Sequence, residues 1–314
     1  MTPISRREFI GRSALLAGAA ALSVPARADE PPSKAIVDCH THFYDPARPQ
    51  GVPWPGKDDK VLYKRILPET YMAFAKKLGV TGTVVVEASA WVDDNQWVLD
   101  LCKAEPFLLG LCGNLTPGGA DYAPSLARFS PNKQFRGIRI NGNSLEKGLT
   151  DEKFVADIKR LADNDLELDI NGGPDMLPNT AKLAEKLPTL RILINHCANV
   201  KIDGKAPPQN WVRDMQACAQ HKNVFVKVSA LVEGSGKSDG TAPADVGFYE
   251  PVLNTLWGAF GEDRLIYGSN WPVSERFAPY ERVQAIVAQY FKTKGQAAAD
   301  KYFSLNAKNA YKWE

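Results

Sequence analysis

Eight times in succession the chain passes from a short β-branched apolar run to an amphipathic helical run, and this alternation limits its fold more than any other feature. Ala35–Cys39 reads as a first strand, and a helical run starts at Pro68 and stops at Gly79. Val80–Val86 is continuous and β-branched, as a strand covered on both faces should be. Further strands are predicted at Phe107–Leu115, Phe135–Ile140, Leu166–Ile170, Arg191–Asn195, Val224–Val228 and Arg264–Gly268, each followed by a helical run. A last helix is predicted at Ala297–Tyr311. Eight strand–helix units in one series predict an α/β chain folded as a single (β/α)8 TIM-type barrel with an extra C-terminal helix. An open doubly wound sheet normally carries a glycine-rich phosphate loop after its first strand. This chain instead runs into Asp38-Cys39-His40-Thr41-His42, with no G-x-G-x-x-G and no Walker motif, so no nucleotide cofactor is expected.

The first residues belong to targeting rather than to the fold. Arg6-Arg7 precedes an apolar run from Ala14 to Val24, and Ala26-Arg27-Ala28 has the small-residue form of a cleavage site. These features predict a twin-arginine signal peptide over residues 1–28, a barrel domain over 29–314, and a periplasmic or secreted product. The apolar run is too short to cross ~30 Å of hydrocarbon, and no later segment is long and apolar enough, so no membrane insertion is expected after signal removal. Loss of four arginines and one glutamate with the signal takes the formal charge from +2 to −1. A near-neutral surface gives no electrostatic reason to expect nucleic acid as a partner. The five cysteines show no C-x-x-C spacing, and a folded chain exported from a reducing compartment is expected to keep them as buried free thiols. The oligomeric state is not encoded in any readable feature.

In a barrel the chemistry sits at the carboxyl ends of the strands. Those ends carry His40 and His42, Glu87, Asn114, Arg139, Asp169 and Asn171, His196, Lys227 and Ser229, and Asn270. Three of the four histidines fall there. In an extended segment His40 and His42 point to the same side, and two convergent imidazoles either bind a divalent metal or position a substrate. His196 arrives from the sixth strand as a third. Arg139 suits bidentate contact with a carboxylate or hydroxyl, or forms an ion pair at the rim. Lys227 offers an oxyanion partner, or pairs with Asp169 or Glu87. Trp91 and Trp54 lie on strand-end loops and either stack on a sugar ring or pack within the loops.

Taken together, Asp38-Cys39-His40-Thr41-His42, Gly137-Ile138-Arg139, Ile194-Asn195-His196, Tyr267-Gly268-Ser269-Asn270-Trp271-Pro272-Val273 and Leu305-Asn306-Ala307 resemble the amidohydrolase superfamily. The likeness is greatest to its lactonase branch, which includes L-fuconolactonases, L-rhamnonolactonases and pyrone-dicarboxylate lactonases. The resemblance implies a hydrolase that opens a sugar lactone or related cyclic ester. It implies catalytic roles for His40, His42, His196 and the residue at 270, and substrate contacts from Arg139, Lys227, Glu87, Asp169 and Trp91. Members with two bridged metals carry a lysine on strand four and a histidine on strand five. Arg139 and Asp169 stand there instead, so the expected cofactor is none or one divalent ion, zinc among the candidates, on His40, His42 and His196.

A second departure is at strand eight, where the family pattern has aspartate and this chain has Asn270. A neutral amide orients water but does not take its proton. Three readings follow: a lactonase whose base lies elsewhere, a metal-dependent non-oxidative decarboxylase, or a degenerate barrel that binds a sugar acid without turnover. The first reading expects Asn270→Asp to keep or raise activity. The contrary account, in which extra negative charge harms the site, expects a loss.

Overall fold

The computed structural model describes residues 35–313, which lie within the compact unit Pro32–Glu314. The signal segment and its cleavage site fall outside the described residues. The strands are β1 Ile36–Thr41, β2 Val80–Val86, β3 Leu108–Gly113, β4 Phe135–Asn141, β5 Glu167–Asn171, β6 Arg191–Ile194, β7 Val224–Val228 and β8 Leu265–Tyr267. Each pairs in parallel with the next in chain order. The ring closes where Thr41 bridges Trp271 and the His42 amide donates to the Trp271 carbonyl at 2.9 Å. The (β/α)8 barrel read from the alternation is the architecture present. Among the described residues no helix is long and apolar enough to cross a membrane.

Local chemistry accounts for the elements that frame the site. Pro68 opens helix α1 (Pro68–Ala75), where its missing N–H leaves no helical bond unmade. Gly79, at φ 81°, ends the turn that follows. Helix α2 is Asp94–Ala104 and α3 is Tyr122–Phe129. A short helix α4 (Gly142–Gly148), capped by the Asn141 side chain, follows β4 before α5 (Glu152–Asp163), and the sequence reading had passed over it. Next come α6 Leu177–Lys186 and α7 Gln209–Ala219, and α8 Leu231–Gly234 is a second unforeseen single turn, directly after β7. Helices α9 Glu250–Phe260 and α10 Tyr280–Lys292 complete the outer layer.

The final helical run comprises α11 Gln296–Asp300, a wide turn over Lys301–Leu305, and α12 Asn306–Tyr311. Ala307, Ala310 and Tyr311 of α12 pack with Val37, Cys39, Val84, Leu193 and Ile266 in one apolar cluster within the barrel. All five cysteines are free and buried.

Two glycines mark close strand approaches. A Cβ on Gly137 would stand 2.2 Å from the Glu167 carbonyl oxygen, so the glycine of the Gly-x-Arg segment is what lets β4 pair tightly with β5. A Cβ on Gly268 would stand 2.9 Å from the His40 Cβ, so the glycine after β8 makes room for the first histidine.

Candidate active site

The first strand is held from below by Asp38. Its carboxylate accepts from the Ser269 amide at 2.8 Å, the His40 amide at 3.1 Å, the Tyr71 hydroxyl at 2.8 Å and the Tyr280 hydroxyl at 3.1 Å. Burial pushes its pKa up, and the hydrogen bonds from Ser269 and Tyr71 pull it back. One buried side chain thus ties β1 to the turn after β8 and to two outer helices.

His40, His42 and His196 converge above it. The His40 ring lies 5.0 Å from that of His42 and 4.3 Å from that of His196, centroid to centroid. All three are buried. Burial first, and for His42 and His196 the nearby Arg139 charge next, lowers their pKa values, that of His42 to about 3. For His40 the second cause is His196. The imidazoles are therefore neutral near pH 7, the form that ligates metal or takes a proton. His42 Nδ1 sits 3.0 Å from the Val86 carbonyl and His196 Nδ1 sits 2.8 Å from Ser229 Oγ. Neither nitrogen of His40 has a hydrogen-bond partner, although both are buried.

The loops that carry these groups leave their strands in left-handed backbone. His196, Cys197, Ala198 and Asn199 have φ of 56°, 52°, 55° and 47°, Ala230 has 53° and Asn270 has 60°. Such conformations cost of order 1–3 kcal/mol each in non-glycine residues and persist where the surroundings over-determine them, typically at functional sites. After β6, β7 and β8, then, the chain turns sharply at or beside a site residue.

Asn270 links two elements. Its Oδ1 lies 3.2 Å from His42 Nε2, and its Nδ2 donates to Glu233 Oε1 at 2.9 Å. Glu233 stands on α8, and its other oxygen, Oε2, is buried without a partner. Burial raises its carboxyl to about 7, against the lowering effect of the Asn270 bond. The sequence reading did not select Glu233. The only signal available was an acid closing the apolar run Leu231-Val232, four residues past Ser229.

Beside the histidines lies a cavity of about 630 Å³, whose lining includes Glu87, Asn114, Arg139, Asn141, Ser144 and Asn171. The histidines do not line it, but one peptide separates the two regions. Val86 accepts from His42, and the next residue, Glu87, takes Arg139 Nε on its Oε1 at 2.8 Å. Lys227 and Asp169, expected at the substrate, are instead paired with each other and fully buried, and neither lines the cavity. Tyr311 of α12 adds a hydroxyl 3.3 Å from Asp169 Oδ1. Lys227 and Asp169 both lie buried beside Tyr311, and the Lys227 charge, after burial, also helps lower the pKa values of His40, His42 and His196. Trp91 is 39% exposed and also lines no part of this cavity. Trp54 approaches His42 edge-on, with ring centroids 6.0 Å apart.

The three imidazoles are donors of the kind a divalent ion takes, but no choice of one nitrogen from each brings all three within 4.8 Å of one another. His40, with two unpartnered buried nitrogens, and His42 and His196, each anchored through Nδ1, present neutral imidazoles to one space. Among the described residues the one group of three His, Cys, Asp or Glu side chains with donor atoms all within 4.8 Å of one another is Cys112, Glu167 and Asp169. There Asp169 is already held by Lys227.

Comparison with known proteins agrees with this geometry. The chain is 29% identical over 244 residues to an L-fucono-1,5-lactonase of Burkholderia ambifaria, covering 76% of this chain and 80% of that one. It is 24% identical over 270 residues to an L-fucono-1,5-lactonase of Burkholderia multivorans, covering 83% and 90%. The fold matches the crystal structure of an amidohydrolase from Burkholderia multivorans with bound zinc. The TM-score is 0.80 and the identity 22%, covering 90% of this chain and all of that one. The model of the family described as Amidohydrolase matches residues 37–313. With its histidines at the ends of β1 and β6 and this match over nearly all of the described residues, the chain belongs to the amidohydrolase family and is a hydrolase.

Proposed function

We propose that the enzyme opens a sugar lactone or closely related cyclic ester. The observation that carries this reading is the charge balance of the cavity beside the histidines. Its ionisable lining residues are two acids, Glu87 and Asp151, and two bases, Arg139 and Lys147. Amides and hydroxyls supply the remaining polarity, from Asn114, Thr116, Asn141, Ser144 and Asn171. A polyhydroxylated neutral ring finds donors and acceptors there without an uncompensated charge. A dicarboxylate would find its best cation, Arg139, already engaged with Glu87. The relatives named L-fucono-1,5-lactonase support the same class.

Hydrolysis requires a polarised carbonyl, an activated water and a proton for the leaving alkoxide. His40, His42 and His196 would hold a divalent ion if one is bound, and such an ion supplies Lewis-acid polarisation and a more acidic water. With no ion bound, the neutral imidazoles would instead be the proton acceptors; Arg139 orients ring substituents, and the walls around His40 exclude bulk water. Export through the twin-arginine route would set this reaction outside the cytoplasm.

The test is a panel of aldono-1,4- and 1,5-lactones, with 2-pyrone-4,6-dicarboxylate as the charged alternative and aromatic carboxylates assayed for CO2 release. Acid release from neutral aldonolactones is the expected result. Turnover confined to the dicarboxylate, or CO2 release alone, would overturn the reading. Elemental analysis is expected to find no more than one divalent ion per chain.

A further inference from the structure

The family pattern places a carboxylate at position 270, and this chain places an amide there. The structure locates a carboxylate one hydrogen bond away. Glu233 reaches from α8 so that Oε1 accepts from Asn270 Nδ2 at 2.9 Å, while the other end of the same amide faces His42 Nε2 at 3.2 Å. The two residues are complementary in a way that aspartate at 270 would not be. An amide donates to the carboxylate, whereas two carboxylates at that distance would repel.

We propose, resting on the lactonase reading, that Glu233 is a positioning residue of this active site. Acting through Asn270, it holds the amide against His42 and supplies the negative charge that the family otherwise carries on strand eight.

Three further observations support this. Glu233 Oε2 is buried with no partner, a cost of about 1–3 kcal/mol that packing alone gives no reason to retain. The turn that carries Glu233 is entered through Ala230 at φ 53°, immediately after Ser229, which holds His196. Asn270 itself is held at φ 60°. Backbone strain on both sides of the Glu233–Asn270 contact therefore serves one geometry. Burial raises the Glu233 carboxyl to about 7, so Glu233 carries that negative charge above this pH and holds a proton below it. When the carboxyl is protonated, the amide can turn through 180° and present Nδ2 to a neutral His42, with Oδ1 accepting from the Glu233 hydroxyl. With Nδ1 donating to Val86, a neutral His42 completes the chain only in this flipped arrangement, and the arrangement with Oδ1 toward Nε2 is completed when His42 carries a second proton.

The experiment moves the charge. Glu233→Gln keeps a hydrogen-bond acceptor for Asn270 but removes the carboxylate, and should lower kcat on the best lactone by about 10²-fold with KM within a few-fold. Asn270→Asp alone sets two carboxylates against each other and should also fall, by about 10-fold or more. Glu233→Gln combined with Asn270→Asp returns a single carboxylate to strand eight and should recover kcat to within about 10-fold of wild type. A merely structural Glu233 would not be rescued by a second change at 270, and circular dichroism of each variant verifies folding.

Wild-type kcat in Glu233→Gln overturns the proposal and leaves the lactonase reading standing, as does a double variant no better than either single one. A panel on which the wild type turns over nothing overturns the lactonase reading. The contact is then read by 15N-edited spectroscopy of the Asn270 side-chain amide, identified as the resonance lost in Asn270→Asp. That resonance should shift in Glu233→Gln, and an unmoved resonance overturns the proposal whatever the substrate.

Discussion

Arg139 and Glu87 grip each other twice, through Nε to Oε1 at 2.8 Å and through Nη2 to the Glu87 backbone carbonyl at 2.9 Å. Both residues line the cavity, and after burial the Arg139 charge also lowers the pKa values of His42 and His196, so the pair acts on both regions. A lysine has one point of attachment and no planar fork, and cannot make both bonds. Arg139→Lys should therefore lower kcat/KM by about 10²-fold on a neutral lactone. Glu87→Gln frees the guanidinium charge toward the cavity, and the anionic product acid should then inhibit about 10-fold more strongly. Product inhibition constants for wild type and both variants are the measurement. An unchanged constant in Glu87→Gln would mean that Arg139 does not face the ligand.

Lys227 and Asp169 are a buried ion pair, with 0% exposure for each side chain. Removing one partner of such a pair leaves an uncompensated charge and costs about 3–5 kcal/mol, whereas replacing both with apolar groups is often neutral. Lys227→Met should lower stability by that amount in urea, and Lys227→Met with Asp169→Leu should recover most of it. If Lys227→Met instead kept full stability and lost activity alone, the lysine would be acting on substrate as the strand-end pattern suggested.

That contrast shows where the sequence was informative. The strand–helix alternation carried the barrel, because each apolar strand must be covered on both faces. Period-two alternation put His40 and His42 on one side, and His196 followed only from its place at the end of β6, where the backbone is left-handed rather than extended. Strand-end position alone could not tell Arg139, which lines the cavity, from Lys227 and Asp169, which are buried against each other and do not line it. Arg139 and Asp169 are register partners on adjacent strands, so strand position does not separate them; the long guanidinium reaches Glu87 at the cavity, while the short carboxylate is taken by Lys227. Helices α4 and α8 were missed because one or two turns carry too few residues to show a period. Glu233 went with α8, since its significance lies only in its contact with a residue 37 positions away. The two glycines at 137 and 268 were visible as motif letters, and their steric reason, a close approach to Glu167 and His40, was not.

Asp38 gathers four donors on one carboxylate, two backbone amides and two phenols. Asp38→Asn replaces one acceptor oxygen by a donor and leaves at least one phenol without its charged partner. Bonds to charged groups contribute about 1.5–3 kcal/mol, so a loss of about 2 kcal/mol is expected in urea denaturation. Activity should fall further than that loss of folded enzyme explains, because the Ser269 amide it holds immediately precedes Asn270. A variant with wild-type kcat would show that closure of β1 on the turn after β8 does not position Asn270.

The carboxyl of Glu233 makes a separate prediction about stability and pH. Its folded pKa is raised to about 7 from an ordinary value of 4.5. A group whose pKa is raised on folding contributes stability that is fully present below the unfolded pKa and is lost as pH rises through the folded one. Glu233→Gln carries no proton to lose. Relative to that variant, the wild type should therefore weaken between pH 4.5 and pH 7, by at most about 3 kcal/mol, and change little above pH 8. Protonation of the three buried histidines below their ordinary pKa also destabilises the fold, because burial holds them neutral, but it acts on both proteins and cancels in the difference. Urea unfolding of wild type and Glu233→Gln at pH 4.5 and pH 8 provides the comparison. A stability difference that is the same at both values would mean that the carboxyl titrates as an ordinary exposed glutamate, and the enclosed Glu233–Asn270 contact would have to be abandoned.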